Sequence, residues 1–175
     1  MTEDINENHL LDIVDEDNNI ISTATKEEKF EKELISRNVS VFLRDKNNYY
    51  VFVKRSKNKK SFPGRIDIIV AGHVNHGESY KDAVNREMEE EIGFIPKVKL
   101  LGVIYQEFLD ANNKKSRYFT GVFLGQINRE LKINHREFKM YKKMGIKELQ
   151  IMINRTSDMF CPFLINEYKI LKKYL

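Results

Sequence analysis

Cysteine is nearly absent: the 175-residue chain has one, Cys161, followed by Pro162. One thiol excludes an internal disulfide, and nothing beside it completes a metal or nucleophile motif, so it reads as a small apolar residue. Long apolar runs are missing too. No stretch approaches the roughly 18 residues of a membrane-spanning helix, and the start, MTEDINENHLLDIVDEDNN, has neither the basic opening nor the apolar segment of a secretory signal. These absences predict a cytoplasmic globular protein without a membrane partner. Proline occurs only three times, and no Pro-rich or low-complexity stretch marks a boundary. Residues 1–175 therefore read as a single domain of a size that one core can support.

Basic side chains are missing from the first 20 residues, which hold seven of the 26 acidic ones. The remainder carries all 30 Lys and Arg against 19 Asp and Glu, a net of +11. Such a body favours anionic partners, although solvated lysines account for the same charge. No nucleic-acid motif and no interleaving of Arg with aromatics accompanies it, so nucleic acid is not the expected partner.

What is present is a mixture of strand and helix signals. HLLDIVD and IISTAT flank the turn-forming EDNN and predict an amino-terminal hairpin within residues 1–25. VSVFLR and YYVFVKR around DKNN predict a second hairpin, and IDIIVAG a buried strand ending at Gly72. KVKLLGVIYQEF and SRYFTGVFLGQI read as two longer strands. A carboxy-terminal helix over 162–175 follows from Pro162 and the stripe Leu164, Tyr168, Leu171, Leu175.

The stretch GHVNHGESYKDAVNREMEEEIGF, residues 72–94, concentrates the chemistry. Between Gly77 and Gly93 it predicts a helix of about four turns with Glu78 or Ser79 near its start. At about 100° per residue, Tyr80, Ala83, Val84, Met88 and Ile92 define a core side, while Asp82, Asn85, Arg86 and Glu89 fall toward water. Glu87, Glu90 and Glu91 fall on one edge of the apolar arc. A solvated charge run would place them opposite that arc. Carboxylates crowded at such spacing and partly withdrawn from water require a compensating cation, and all-oxygen donors suit Mg2+ or Mn2+.

Residues 72–94 match the Nudix box, GX5EX7REUXEEXGU, at every defined position: Gly72, Glu78, Arg86, Glu87, Met88, Glu90, Glu91, Gly93 and Phe94. A chance match to the seven fixed positions has odds on the order of 10⁻⁸ per starting point. The resemblance implies an α/β fold of the α+β kind, an α/β/α sandwich around a mixed sheet, here with the amino-terminal hairpin as an extension. It implies a hydrolase acting on a small-molecule diphosphate joined to another group. Glu87, Glu91 and Glu90 would hold the metal with the Gly72 carbonyl, Arg86 would orient carboxylates and Glu78 would support it. Glu87 itself, Glu137 or Glu107 is the general base, and the sequence does not choose. Lys54 and Arg55, fixed by the end of their strand, are the candidates for gripping phosphate, ahead of Lys59 and Lys60 in the loop beyond. A homodimer is compatible with this reading.

The flanks resemble the Nudix branch that includes isopentenyl diphosphate isomerase. That isomerase is a protonation–deprotonation enzyme with a Cys before the Gly-His pair and several metal-binding His residues. Here Ala71 precedes Gly72-His73, and Ser36 stands where a histidine belongs. Alanine cannot transfer a proton, so hydrolysis is the expected reaction. A Nudix-fold binding module is the third alternative, for which an intact set of carboxylates would be unnecessary.

Overall fold

The computed structural model describes residues 10–59, 61–109, 113–131 and 138–175. The amino-terminal hairpin is formed by β1 (Leu11–Val14) and β2 (Ile20–Ala24). Its turn closes because Asp15 Oδ1 accepts from the backbone N–H groups of Asp17 and Asn19, while Asn18 takes a left-handed φ of 65°. A short helix, α1 (Lys26–Glu31), starts at a capping box made by Thr25 and Glu28. Then follow β3 (Ile35–Arg44), β4 (Tyr49–Arg55), β5 (Ile66–Ile68), β6 (Val70–His73), α2 (Tyr80–Ile92), β7 (Val98–Leu109), β8 (Lys115–Gln126), β9 (Phe138–Gly145), α3 (Ile146–Arg155) and α4 (Pro162–Leu171).

All the strands join one mixed sheet, and β3 is its hub. β3 runs parallel to β8 along its whole length and antiparallel to β6 over Asn38–Val41. Alternation along β3 then feeds two cores. Val39, Val41 and Leu43 pack with Val84 and Met88 of α2 on one face, while Phe42 packs with Leu149 of α3 and Leu164 of α4 on the other. The result is the expected α/β/α sandwich. No helix among the described residues is long and apolar enough to cross a membrane.

Three local expectations need correction. The second hairpin has its turn, with Asp45 accepting from Asn47 and Tyr49, but β3 and β4 pair only at Arg44 and Tyr50. Beyond that point β4 turns to β5 and β9, and β3 to β6 and β8, because buried strands satisfy both backbone edges and non-local partners were available. The single strand IDIIVAG is two strands. Between β5 and β6, Ile69 shifts the pairing from β4 to β3, which carries Gly72 beneath α2. Finally, the carboxy-terminal helix gives way to a 3-10 turn at Lys172, so its apolar stripe ends at Leu171 and Leu175 is exposed.

The core under α4 holds a carboxyl group. Glu167 is buried, its Oε1 accepting from Gln106 Nε2 at 2.9 Å, and burial pushes its pKa from 4.5 up to about 8. The folded chain therefore carries one proton more than the unfolded chain between those values, and raising pH through this window removes stability. Lys29 and His73, whose folded pKa values are lowered, act in the opposite direction over the same pH range, so the Glu167 contribution is read as a difference: between pH ~6 and pH ~8, thermal denaturation should find Glu167→Gln gaining about 2 kcal/mol relative to the wild type. A Gln variant with the wild-type pH dependence would assign the effect to another group.

Candidate active site

The geometry of the site begins with what fixes α2. Ser79 caps it, its side chain accepting from the Asp82 N–H while Asp82 bonds back to the Ser79 N–H. Gly93 ends it with a left-handed φ of 75°. Ala83, Val84, Met88 and Ile92 are buried as projected, which sets the rotation of the helix against β6 and turns Glu87 inward. Glu87 is only 8% exposed.

Its carboxylate lies against the backbone of Gly72. A Cβ on Gly72 would stand 2.0 Å from both Cδ and Oε1 of Glu87, and 2.4 Å from Oε2. Only glycine permits that approach. Removal from water raises the Glu87 pKa, and the Arg86 guanidinium partly opposes the shift.

Arg86 links three parts of the site. Its Nε and Nη2 donate to the two oxygens of Glu78 at 2.8 and 2.9 Å, Nη1 donates to Glu87 Oε1 at 2.7 Å, and Nη2 also donates to the His73 carbonyl at 2.8 Å. Glu78, held below its ordinary pKa by this fork, also accepts from the Asn75 N–H at 2.9 Å. The helical projection put Arg86 on the water side, but its long side chain folds back and is only partly exposed. The glutamates are graded rather than uniformly withdrawn. Glu87 is buried, Glu91 is half-buried, and Glu90 is exposed, 3.6 Å from Arg86 Nη1.

A hard divalent cation fits this chemistry. Glu87 Oε2 accepts no hydrogen bond among the described residues and keeps its lone pairs for a ligand, and the carboxylate of Glu91 follows by one helical turn. Among the described residues no three acidic, His or Cys side chains are grouped closely enough to hold a metal ion between them.

A family model for the NUDIX domain matches residues 34–160. The chain belongs to the Nudix family. Over 152 residues, 86% of this chain and 85% of the relative, it is 30% identical to isopentenyl-diphosphate delta-isomerase 2 of Photorhabdus laumondii. It is 29% identical to an uncharacterized Nudix hydrolase of Clostridium acetobutylicum over 181 residues, 95% of this chain and 87% of the relative. Other matches to curated Nudix hydrolases span about half the length of those relatives. In fold it is similar to the crystal structure of DR0079 from Deinococcus radiodurans, with a TM-score of 0.74 at 20% identity, covering 95% of this chain and 99% of that one. The family places the chain among hydrolases of phosphoanhydride bonds.

The residues outside the Nudix box are placed less simply. Arg55 is engaged with a buried carboxylate, Nη1 donating to Asp67 at 2.7 Å and Nε to the Ser61 carbonyl at 3.0 Å. A phosphate would have to compete with Asp67 for it. Lys54 makes no hydrogen bond or ion pair among the described residues and is half-buried. Glu107 lies on β7 with Lys115 Nζ at 3.1 Å and accepts from the Tyr105 hydroxyl at 3.0 Å, contacts that lower its pKa. Glu137 and Lys60 lie outside the described residues.

Sequence reasoning missed the ties that hold the box loop. Buried Asp12 on β1 meets His76 Nδ1 at 2.6 Å, and the His76 N–H donates to the Leu10 carbonyl at 2.7 Å. On the same hairpin Asn18 accepts from Arg37 Nε at 2.8 Å. The hairpin thus braces the loop between β6 and α2, a link across more than sixty residues that no local pattern announces.

Proposed function

We propose that the protein is a Mg2+- or Mn2+-dependent hydrolase that cleaves the diphosphate of a nucleoside diphosphate joined to another group, or of a similar organic diphosphate. The observation that carries this reading is the Glu87 carboxylate, buried in a cradle that only Gly72 allows and with one oxygen unengaged among the described residues. Glu87 and Glu91 would hold the cation first, with Glu90 and the Gly72 carbonyl completing its protein ligands. The cation, when bound, neutralises charge on the diphosphate and lowers the pKa of water.

The chain's own residues supply position and charge balance. Arg86 orients Glu87 and Glu78 through its planar fork and ties them to the β6 carbonyl at His73. Glu87 already has a raised proton affinity, which suits a base, whereas Glu107 is held in its ionised form by Lys115 and Tyr105 and is correspondingly a weaker one. Lys54 is a cation near the end of β4 that no carboxylate among the described residues engages, and is the better candidate than Arg55 for direct contact with phosphate.

The isomerase reading draws on the relative from Photorhabdus laumondii, but the residues here disfavour it. Ala71 occupies the place before Gly72-His73 on β6, and the lone thiol, Cys161, is buried at the start of α4 with its pKa pushed up. Neither supplies a proton at the site.

The test is a phosphate-release screen over nucleotide sugars, dinucleotides, nucleoside triphosphates, ADP-ribose and prenyl diphosphates, with and without Mg2+. Release from at least one class should require the cation. On that substrate Glu91→Gln should lose at least about tenfold in turnover and Glu89→Gln, exposed on the water side, should lose none. Equal losses, or formation of dimethylallyl diphosphate from isopentenyl diphosphate, would overturn the reading.

A further inference from the structure

Through the sheet from Glu87 lies a cationic cluster that the hydrolytic site does not use. Lys29 of α1 is fully buried, and its Nζ has no hydrogen-bonding partner among the described residues. The ammonium rests against two rings, 3.7 Å from the centroid of Tyr118 and 4.3 Å from that of Phe30. Burial above all, and then the positive charges of Arg117 and Lys26, lower its pKa to about 7. Arg117 itself donates from Nε and Nη2 to the Glu33 carbonyl and has Glu107 as its cross-strand partner, whereas no carboxylate is among the charges that act on Lys29.

The register of the sheet brings further unpartnered polar atoms to the same place. Ser36 of β3 is the Cα partner of Tyr118, and Asn38 is the partner of His73. Ser36 Oγ, Asn38 Oδ1 and His73 Nδ1 are all buried without a hydrogen bond among the described residues. The His73 ring approaches those of Tyr118 and Phe30, at 5.8 and 6.1 Å between centroids. Successive strand residues face opposite sides. Gly72 therefore meets Glu87, and His73 meets this cluster.

Buried polar groups are ordinarily satisfied, and a buried ammonium with only cationic neighbours is costly. Lysine and hydroxyl donors, with an imidazole N–H and an amide that can each turn a donor toward the same space, match one kind of ligand. We infer that Lys29, Ser36, Asn38 and His73 form an oxyanion subsite, taking a phosphate or carboxylate group, on the face of the sheet opposite the Nudix helix. The subsite is independent of the metal, so it can stand or fall apart from the proposed hydrolysis. Its occupant is either a second anionic group carried by the substrate or a free anion.

The experiment uses the full chain in EDTA at constant ionic strength, with inorganic phosphate as the probe. Phosphate at roughly ten times its dissociation constant should raise Tm by about 3 °C or more in the wild type and in Glu91→Gln. In Lys29→Met that rise should vanish, while Tm without phosphate should stay level or increase, since an apolar chain replaces an uncompensated charge. As a measurement that needs no variant, the Lys29 ammonium signal in 15N-lysine-labelled wild type should shift along the same phosphate titration. A wild type indifferent to phosphate, an equal rise in Lys29→Met, or an unmoved Lys29 signal would each overturn the inference. On a confirmed substrate, a KM raised at least about tenfold in Lys29→Met with kcat retained identifies the anion as part of the substrate. An unchanged KM in Lys29→Met, with the phosphate rise present in the wild type and lost in the variant, identifies a free anion.

Discussion

Gly72→Ala is expected to lower kcat by at least about a hundredfold while leaving a folded protein, because the new methyl takes the space that the Glu87 carboxylate now fills. The added Cβ would sit 2.0 Å from Glu87 Cδ, far inside van der Waals contact. Gly72 is not among the residues with positive φ, so the backbone accepts alanine and the conflict is one of space alone. Two responses relieve it. The carboxylate leaves its cradle, or β6 moves away from α2, and either separates the proposed metal ligand Glu87 from the Gly72 carbonyl. Stability should change less than activity, since the displaced group is a charged side chain at the edge of the core. Turnover on a confirmed substrate, measured beside thermal denaturation, checks this. Wild-type kcat in a folded Gly72→Ala protein would mean that Glu87 does its work from another position.

The contrast between Gly72 and Gly93 shows what was legible in the sequence. Both are fixed positions of the motif, and the pattern alone gives them equal weight. Gly93 could be understood locally, as the left-handed end of a helix, and the structure places it there with nothing near its missing side chain. Gly72 is required by a contact with a residue fifteen positions away, which only the packing of α2 on β6 creates. The helix period likewise placed Glu87 inward, because Ala83, Val84, Met88 and Ile92 fix the buried side. It misplaced Arg86, since a projection follows Cα directions and a guanidinium ends several bonds away. Tertiary pairing hid the rest. The DKNN turn was readable, but the separation of β3 from β4 depends on strands that arrive later in the chain. The strand β9 and the helix α3 went unread as well, β9 being a lysine-rich run without clear alternation. Lys29 looks in sequence like any lysine on a short charged helix; the aromatic partner that buries it, Tyr118, belongs to a strand nearly ninety residues away.

Arg86 is where fold and chemistry are most tightly joined, and its replacement should separate charge from geometry. Lysine at this position keeps the positive charge but cannot reproduce the two-pronged grip on Glu78 together with the bonds to Glu87 and the His73 carbonyl. Methionine removes the charge as well, leaving the buried Glu87 and the half-buried Glu78 without their cation. Both variants should raise the Mg2+ concentration for half-maximal activity, by roughly ten- to a hundredfold, the usual cost of losing a group that orients a metal ligand. Stability should divide them. Arg86 and Glu78 keep 27% and 21% of their side-chain surface, so water screens part of the loss. Arg86→Met should therefore destabilise by about 2 kcal/mol, short of the roughly 3 to 5 for a fully buried pair, and Arg86→Lys by about half as much. Metal titrations of activity and thermal melts of the same preparations give both numbers. If Arg86→Lys matches the wild type in its Mg2+ requirement, the guanidinium serves only as a charge, and the orientation of Glu87 must come from the Gly72 cradle alone.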